Sequence, residues 1–149
     1  MKRISLARIK ILSVIENLDG GGIPEGDSER DESEREGYYS FSDQGIEITY
    51  SDRSEQGCAE SVIVIDGDTV RVKRTGSISS ELIFEEGKSH TSVYSVPPYS
   101  FDATVRTKRI RRALDESGGR LDLHYSMSIG GADKSARMSI WIYPVSNRS

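Results

Sequence analysis

This sequence contains few of the residues from which metal centres, disulfides and redox sites are built. Its 149 residues include one cysteine and two histidines. The single Cys58 excludes an intramolecular disulfide, a CxxC metal site and a dithiol redox pair, and it favours a reducing compartment, the cytoplasm. Nothing in the sequence brings His90 and His124 together with a carboxylate, so we predict no metal site and no cofactor.

Catalytic motifs and long apolar runs are also lacking. No GxSxG turn occurs, and neither Gly118-Gly119 nor Gly130-Gly131 is followed by the Lys-Ser or Lys-Thr of a phosphate-binding loop, so no catalytic residue is assigned and an enzyme is the least favoured function. Arg8 and Lys10 interrupt the apolar stretch near the N-terminus, which is therefore predicted to be part of the folded protein and not a signal peptide. No run approaches the roughly 18 apolar residues of a membrane-spanning helix, so we expect a soluble protein with no membrane partner.

The negative charge is concentrated in one segment. The formal net charge is −4. Residues 25–36 hold seven acids and two bases, a local net charge of −5 that leaves +1 for the remainder. A near-neutral body argues against a nucleic-acid partner, and the basic residues at 106–112 are interpreted as a solvated strand face. Since the acidic segment follows three glycines and has almost no apolar residues, residues 19–36 are predicted to form a mobile loop.

The sequence does contain period-two alternation. From Gly37 to Val145, runs rich in Val, Ile, Tyr and Thr alternate between apolar and polar residues and are separated by turn residues. The strongest hairpin signal is Asp66-Gly67, which suits a two-residue turn. About eight to ten strands with short connections predict one all-β domain, residues 1–149, folded as an antiparallel, mostly up-and-down β-barrel, because closure removes exposed sheet edges.

The segment from Ile4 to Leu18 fits either a helix or a strand. Its apolar residues include a helical stripe, but their dense Ile and Val content favours a strand. In a strand, the apolar phase would shift between Leu6 and Ile9. We therefore predict a strand with a bulge near Ala7 and Arg8, and the helix is the alternative.

Two charged residues fall on the apolar face of predicted strands. Arg74 continues the apolar face of the VRV run before it, and Asp52 continues the face that includes Tyr50. An inward arginine must be paired or reach water, and Asp52 is a candidate partner. The conservative interpretation places both at a solvated rim, because arginine and aspartate are rarely buried. The functional interpretation makes Arg74 the anchor of an anionic ligand in a pocket that also includes Asp52, Tyr50 and Tyr94.

Two further side chains are predicted to face outward. His124 lies opposite the apolar face of LDLHYSM, and Trp141 lies opposite the face that carries Ile140 and Ile142. An exposed tryptophan suits a contact between two copies of the chain, so a homodimer is a candidate assembly.

Several segments resemble a known family. They are EGYYSFSDQGIEITYSD at 36–52, VRVKRTG at 70–76, YSVPPY at 94–99, FDATVRT at 101–107 and GGRLDLHYSM at 118–127. Their order and spacing resemble the bacterial YwiB-like family, a domain of unknown function, although Val96 and Tyr99 depart from its pattern. The resemblance implies a calycin-like barrel, similar to lipocalins, and no established activity.

The leading hypothesis is a non-enzymatic barrel that binds a small amphipathic or anionic ligand. Barrels of this size can hold one small ligand or can be filled by their own side chains. The alternative is therefore a structural or protein-interaction module with a filled interior. Its contacts would run through the Trp141 region, the basic residues at 106–112 or the acidic segment.

Overall fold

The protein forms one closed antiparallel barrel of ten strands. The computed structural model describes residues 3–19, 21, 23–26, 28–54 and 57–145, without the side chains of residues 3 and 52–54. The strands are β1 (Arg3–Leu18), β2 (Glu29–Ser42), β3 (Gly45–Ser54), β4 (Gly57–Asp66), β5 (Thr69–Gly76), β6 (Ser79–Glu85), β7 (Ser89–Val96), β8 (Tyr99–Asp115), β9 (Gly118–Ile129) and β10 (Ala132–Pro144). Each strand pairs with its neighbours in sequence, and β1 closes the barrel against β10. The predicted up-and-down barrel is confirmed.

The first segment is a strand, but it has no bulge. β1 pairs with β10 from Ala7 to Leu18 and with β2 from Arg3 to Ile15 without a shift in register. The apolar phase shift is accommodated differently, since Ile4 and Leu6 lie on the outside and are 64% and 49% exposed. The predicted bulge is wrong because two continuous ladders hold β1, whereas a bulge would disrupt one of them.

The acidic segment is not a loop over its whole length. β2 begins at Glu29, so the prediction of a loop was wrong for residues 29–36. Their outward carboxylates meet cations on β1: Arg8 contacts Glu34 at 3.2 Å and Lys10 contacts Glu32 at 3.0 Å. A segment with few apolar residues can thus be a strand when a neighbour supplies the backbone ladder and the opposite charges.

A bulge does occur in β8, where the register shifts between Thr107 and Arg109. Before it, Val105 and Thr107 face inward and are buried. After it, Ile110 pairs with the inward Leu123, so the inward phase changes from odd to even residue numbers. The bulge explains how both apolar sets of this strand reach the interior.

Fully buried apolar side chains fill the middle of the barrel. The largest are Tyr39, Phe84, Ile9, Ile48, Ile63, Ile65, Leu121, Leu123, Ile140 and Ile142. Phe84 packs edge-on against Tyr125, with ring centroids 4.8 Å apart. Each of these residues follows the period-two alternation of its strand, so burial of one sheet face accounts for the core.

The two ends of the barrel differ. At the terminal end, β1 begins and β10 ends, and the turns at 43–44, 67–68, 86–88 and 116–117 lie beside them. At the distal end lie the described part of the β1–β2 connection and the turns at 77–78, 97–98 and 130–131. The turn at 97–98 contains a cis peptide bond between its two prolines.

Candidate functional site

The predicted site residues lie in one row across neighbouring strands. Tyr50 on β3 pairs with Ser61 on β4, and Ser61 pairs with Arg74 on β5. Arg74 pairs with Ser80 on β6, and Ser80 pairs with Tyr94 on β7. All five side chains share the inward phase of their strands, because directly paired residues point to the same face of a sheet. We refer to these five residues as the inner polar row.

Three members of this row are only half-buried. Tyr50, Arg74 and Tyr94 are half-buried although they face inward, whereas inward residues in the middle of the same strands, such as Ile48 and Val72, are buried. The distal half of the interior is therefore polar and less completely buried than the middle. The middle of the barrel is filled with apolar side chains.

Ser61 is the most deeply placed member of the row. Its side chain is 0% exposed, and its hydroxyl has no hydrogen-bond partner within the described part of the chain. A buried hydroxyl without a partner costs about 1–3 kcal/mol, so native proteins usually supply one from a side chain, a water molecule or a ligand. The adjacent Nε of Arg74 is also buried. Both polar groups therefore lie on the inner face of the sheet, between the apolar middle and the distal end of the barrel.

Asp52 belongs to the same face by register, but its side chain lies outside the described part of the structure. Its backbone pairs with Ala59, one step nearer the distal end than the pair of Tyr50 and Ser61. Its predicted role as a partner of Arg74 stays a prediction.

The alternation also brings residues inward that the sequence analysis did not assign. Ser61 and Ser80 share the phase of buried neighbours, and Lys134 shares the phase of Ala136 and Ile140. Counting parity along those strands would have found them. Arg35 pairs with the buried Ile9 and so faces inward as well. It was missed because residues 19–36 were treated as a loop, to which no parity applies.

Two cavities lie at the opposite, terminal end. One of about 480 Å³ is lined by Val70, Ile110 and Lys88, and one of about 560 Å³ by Phe41, Ile65 and Leu114. Arg112 lines both, since the bulge in β8 turns it to the inward phase. The rim carries the carboxylates of Asp43, Asp66, Asp68, Glu85 and Glu86. Each of these two cavities is large enough for a small ligand, and most of the ionisable groups that line them are acidic.

The two histidines lie on different surfaces. His90 faces inward on β7, opposite Val105, and its Nε2 lies 3.2 Å from Glu85. Lys88 also contacts Glu85, at 3.0 Å, and the two hydrogen bonds lower the pKa of that carboxyl. His124 faces outward on β9 as predicted, opposite Arg109 on β8. Among the described residues, no group of three histidine, cysteine or acidic side chains could hold a metal ion.

The fold and the site together define the class of protein. It is an up-and-down β-barrel with a filled middle and a polar distal interior. The chain belongs to the family described as a domain of unknown function (DUF1934), whose model matches residues 20–141. It is 25% identical to the uncharacterized beta-barrel protein YwiB of Bacillus subtilis (strain 168) over 130 residues, 87% of each protein. The sequence-based resemblance is confirmed.

A solved structure agrees with this assignment of the fold. The crystal structure of the ywiB protein from Bacillus subtilis matches with a TM-score of 0.83 and 23% sequence identity. The match covers 96% of this chain and 94% of that one. Within the described residues, no helix is long and apolar enough to cross a membrane.

Proposed function

We propose that the protein is a non-enzymatic binder of a small amphipathic or anionic ligand, which Arg74 anchors in the distal half of the barrel. The observation that carries the proposal is the inner polar row, in which five inward polar side chains cross five adjacent strands. At its centre, Arg74 lies directly opposite Ser61 in the register of β4 and β5, and the hydroxyl of Ser61 is buried. A guanidinium forms two parallel hydrogen bonds with a carboxylate or a similar anion.

The surrounding side chains suit a ligand with an apolar part. Tyr50 and Tyr94 stand at the two ends of the row, and the apolar middle of the barrel lies beneath it. Aromatic and aliphatic walls with a few convergent polar groups are typical of small-molecule sites. Asp52 is the predicted partner of Arg74 when no ligand is bound.

The cavities around Arg112 are the competing location. Their rim carries five carboxylates, and Lys88 there is already paired with Glu85. Because an anion would be repelled by such a rim, the proposed ligand is better matched to Arg74 than to Arg112.

The test is a fluorescence titration of the full-length protein with anilinonaphthalene sulfonate, an amphipathic anion, followed by displacement with decanoate. We expect Arg74→Met to weaken binding about ten- to a hundredfold, since a hydrogen bond to a charged group contributes about 1.5–3 kcal/mol. Arg71→Met is the matched control, because Arg71 lies on the same strand but is exposed on its outer face. It should change the affinity less than twofold.

Further variants make the outcome decisive. If Arg112→Met weakens binding and Arg74→Met does not, the ligand lies at the terminal end and the proposal is wrong. Equal losses for the Arg71 and Arg74 variants would indicate non-specific attraction and would also overturn it. If Arg74→Met does not fold, Tyr94→Ala removes a half-buried wall residue and should still weaken binding of the amphipathic anion.

A packed interior that binds no probe would favour the alternative, a protein-interaction module. Native mass spectrometry of freshly purified protein also distinguishes the two functions, because a co-purifying small molecule supports the binding function. We further propose that the protein acts in the cytoplasm, where the exposed thiol of Cys58 stays reduced.

A further inference from the structure

A cationic groove lies on the outside of the barrel, away from the inner polar row. It has a volume of about 270 Å³ and crosses the outer faces of β8, β9 and β10. His124 is flanked in register by Arg109 on β8 and by Arg137 on β10. In the next outward row, Asp122 is flanked by Arg111 and Ser139. We refer to this site as the outer groove.

The bulge in β8 builds the outer groove. Because Lys108 is the extra residue, Arg109 and Arg111 face outward next to His124 and Asp122, and Ile110 between them faces inward. Without the bulge, the alternation set by Val105 and Thr107 would turn both arginines toward the interior. Bulges often reorient side chains beside functional sites.

Asp122, the acidic residue in the outer groove, already accepts two hydrogen bonds. Arg120 Nε lies 2.9 Å from Asp122 Oδ1, and the Ser139 hydroxyl donates to the same oxygen at 2.5 Å. Within the described residues, no carboxylate lies within salt-bridge distance of Arg109, Arg111 or Arg137. Three guanidinium groups therefore line the groove without a carboxylate of the described residues within salt-bridge distance.

Both burial and the positive charges around the outer groove lower the pKa of His124. Burial lowers its pKa, and the charges of Arg137, Lys108 and Arg109 lower it further, whereas Glu16 opposes them. A dianion bound between Arg109 and Arg137 would relieve this repulsion, because an opposite charge within a few ångströms favours the protonated imidazole.

We propose that the outer groove binds the phosphate group of a small phosphorylated molecule. An arginine side chain forms two parallel hydrogen bonds with phosphate oxygens. Four arginines line the groove, of which Arg120 is already bonded to Asp122, and the volume is sufficient for one phosphate and a small substituent. A single-stranded nucleic acid fits less well, since Trp141, the adjacent aromatic residue, is already flanked by Lys10 and Arg120 at 5.6 and 4.8 Å from its ring centroid. Its ring is therefore not a free platform for base stacking.

Calorimetric titration with inorganic phosphate and with glycerol phosphate tests this proposal. Arg137→Gln should weaken phosphate binding at least about tenfold. Arg106→Gln, a matched change of an exposed arginine on β8 that pairs with Ser126 outside the groove, should leave it within about twofold. Proton NMR should show that phosphate raises the pKa of His124 in the native protein and has less effect in Arg137→Gln.

Three outcomes would overturn the proposal. They are the absence of phosphate binding at millimolar concentration, equal losses in the Arg106 and Arg137 variants, and tighter binding of oligothymidylate than of glycerol phosphate with the same dependence on Arg137. The result is independent of the proposed function, because Arg74→Met should bind phosphate normally and Arg137→Gln should bind anilinonaphthalene sulfonate normally.

Discussion

Two buried tyrosines should make the barrel unstable in alkali. Tyr39 and Tyr125 are 1% and 4% exposed. Burial raises the pKa of each phenol to about 12, and for Tyr39 the nearby charge of Asp115 adds to the effect. In the unfolded chain a tyrosine titrates near pH 10. Both pKa values are therefore higher in the folded state, so their contribution to stability is complete below pH 10 and is lost as the pH rises toward 12.

The size of the loss follows from the size of the shift. A shift of two units corresponds to about 2.7 kcal/mol per tyrosine once both states have titrated, and to about 1.4 kcal/mol per tyrosine at pH 11. For both residues together, the free energy of unfolding should fall by about 2.7 kcal/mol between pH 9 and pH 11. A small domain has about 5–15 kcal/mol of stability, so this fall is readily measured.

Urea denaturation at pH 8, 9, 10 and 11 is the assay. Since lysines titrate in the same range, the comparison between variants isolates the tyrosines. Tyr125→Phe should remove about half of the fall, and Tyr99→Phe, whose tyrosine is 65% exposed, should leave it unchanged. The reasoning is refuted if the native protein is equally stable at pH 9 and pH 11, or if the Tyr99 variant reduces the fall as much as the Tyr125 variant does.

Three further substitutions test the packing around the sites by urea denaturation at pH 7. Gly37→Ala should cost about 1–3 kcal/mol, because a methyl group there would meet the Thr49 carbonyl oxygen and lie 2.9 Å from Ile9 Cδ1; a neutral result would show that β2 can move away. Ser61→Ala should leave the unliganded protein as stable or up to about 1 kcal/mol more stable, since it removes a hydroxyl that has no partner among the described residues. A clear loss of stability would mean that the hydroxyl forms a hydrogen bond. Thr107→Val should cost about 1–3 kcal/mol, because the Glu85 amide donates to the Thr107 hydroxyl at 3.2 Å, and an unchanged midpoint would contradict that role.

The sequence could predict the inside and outside of most strands because the pleat fixes a period of two. That rule placed Tyr50 and Arg74 on the apolar faces of their strands, and the functional hypothesis added Tyr94. The structure aligns these three residues in one row. The rule could not predict that they align, because the row depends on the register between β3, β4, β5, β6 and β7. Register is set by turn lengths and by pairs of side chains on different strands, so it is a property of neighbours in space.

The wrongly predicted bulge in β1 and the unpredicted bulge in β8 have the same origin. Both β1 and β8 show a phase shift in their apolar residues, between Leu6 and Ile9 in one and between Thr107 and Ile110 in the other. In β1 the shift is resolved by leaving Ile4 and Leu6 exposed, whereas in β8 it is resolved by a bulge. The phase shift is visible within one strand, but the choice between these solutions depends on the ladders that the partner strands form.

The net charge of the chain did not predict where its charged side chains cluster on the surface. A body with a net charge near zero does not predict a cationic surface, yet β8, β9 and β10 contribute Arg109, Arg120 and Arg137 to a single outer face. On the far side of β1, the outward carboxylates of β2 oppose Arg8 and Lys10. The net charge of the whole chain does not show that these groups lie on different parts of the outer surface, because their separation depends on the strand order.

The filled middle of the barrel separates Arg74 from Arg112. On β5, Val70 and Val72 lie between the terminal end and Arg74. On β8, Val105 and Thr107 lie between the distal end and Arg112, and both are buried. Because buried side chains of the described residues pack together between the two ends, we expect that a ligand bound at Arg74 does not touch Arg112. The effects of substituting these two arginines should therefore add, and any ligand assigned to the barrel has to be assigned to one end of it.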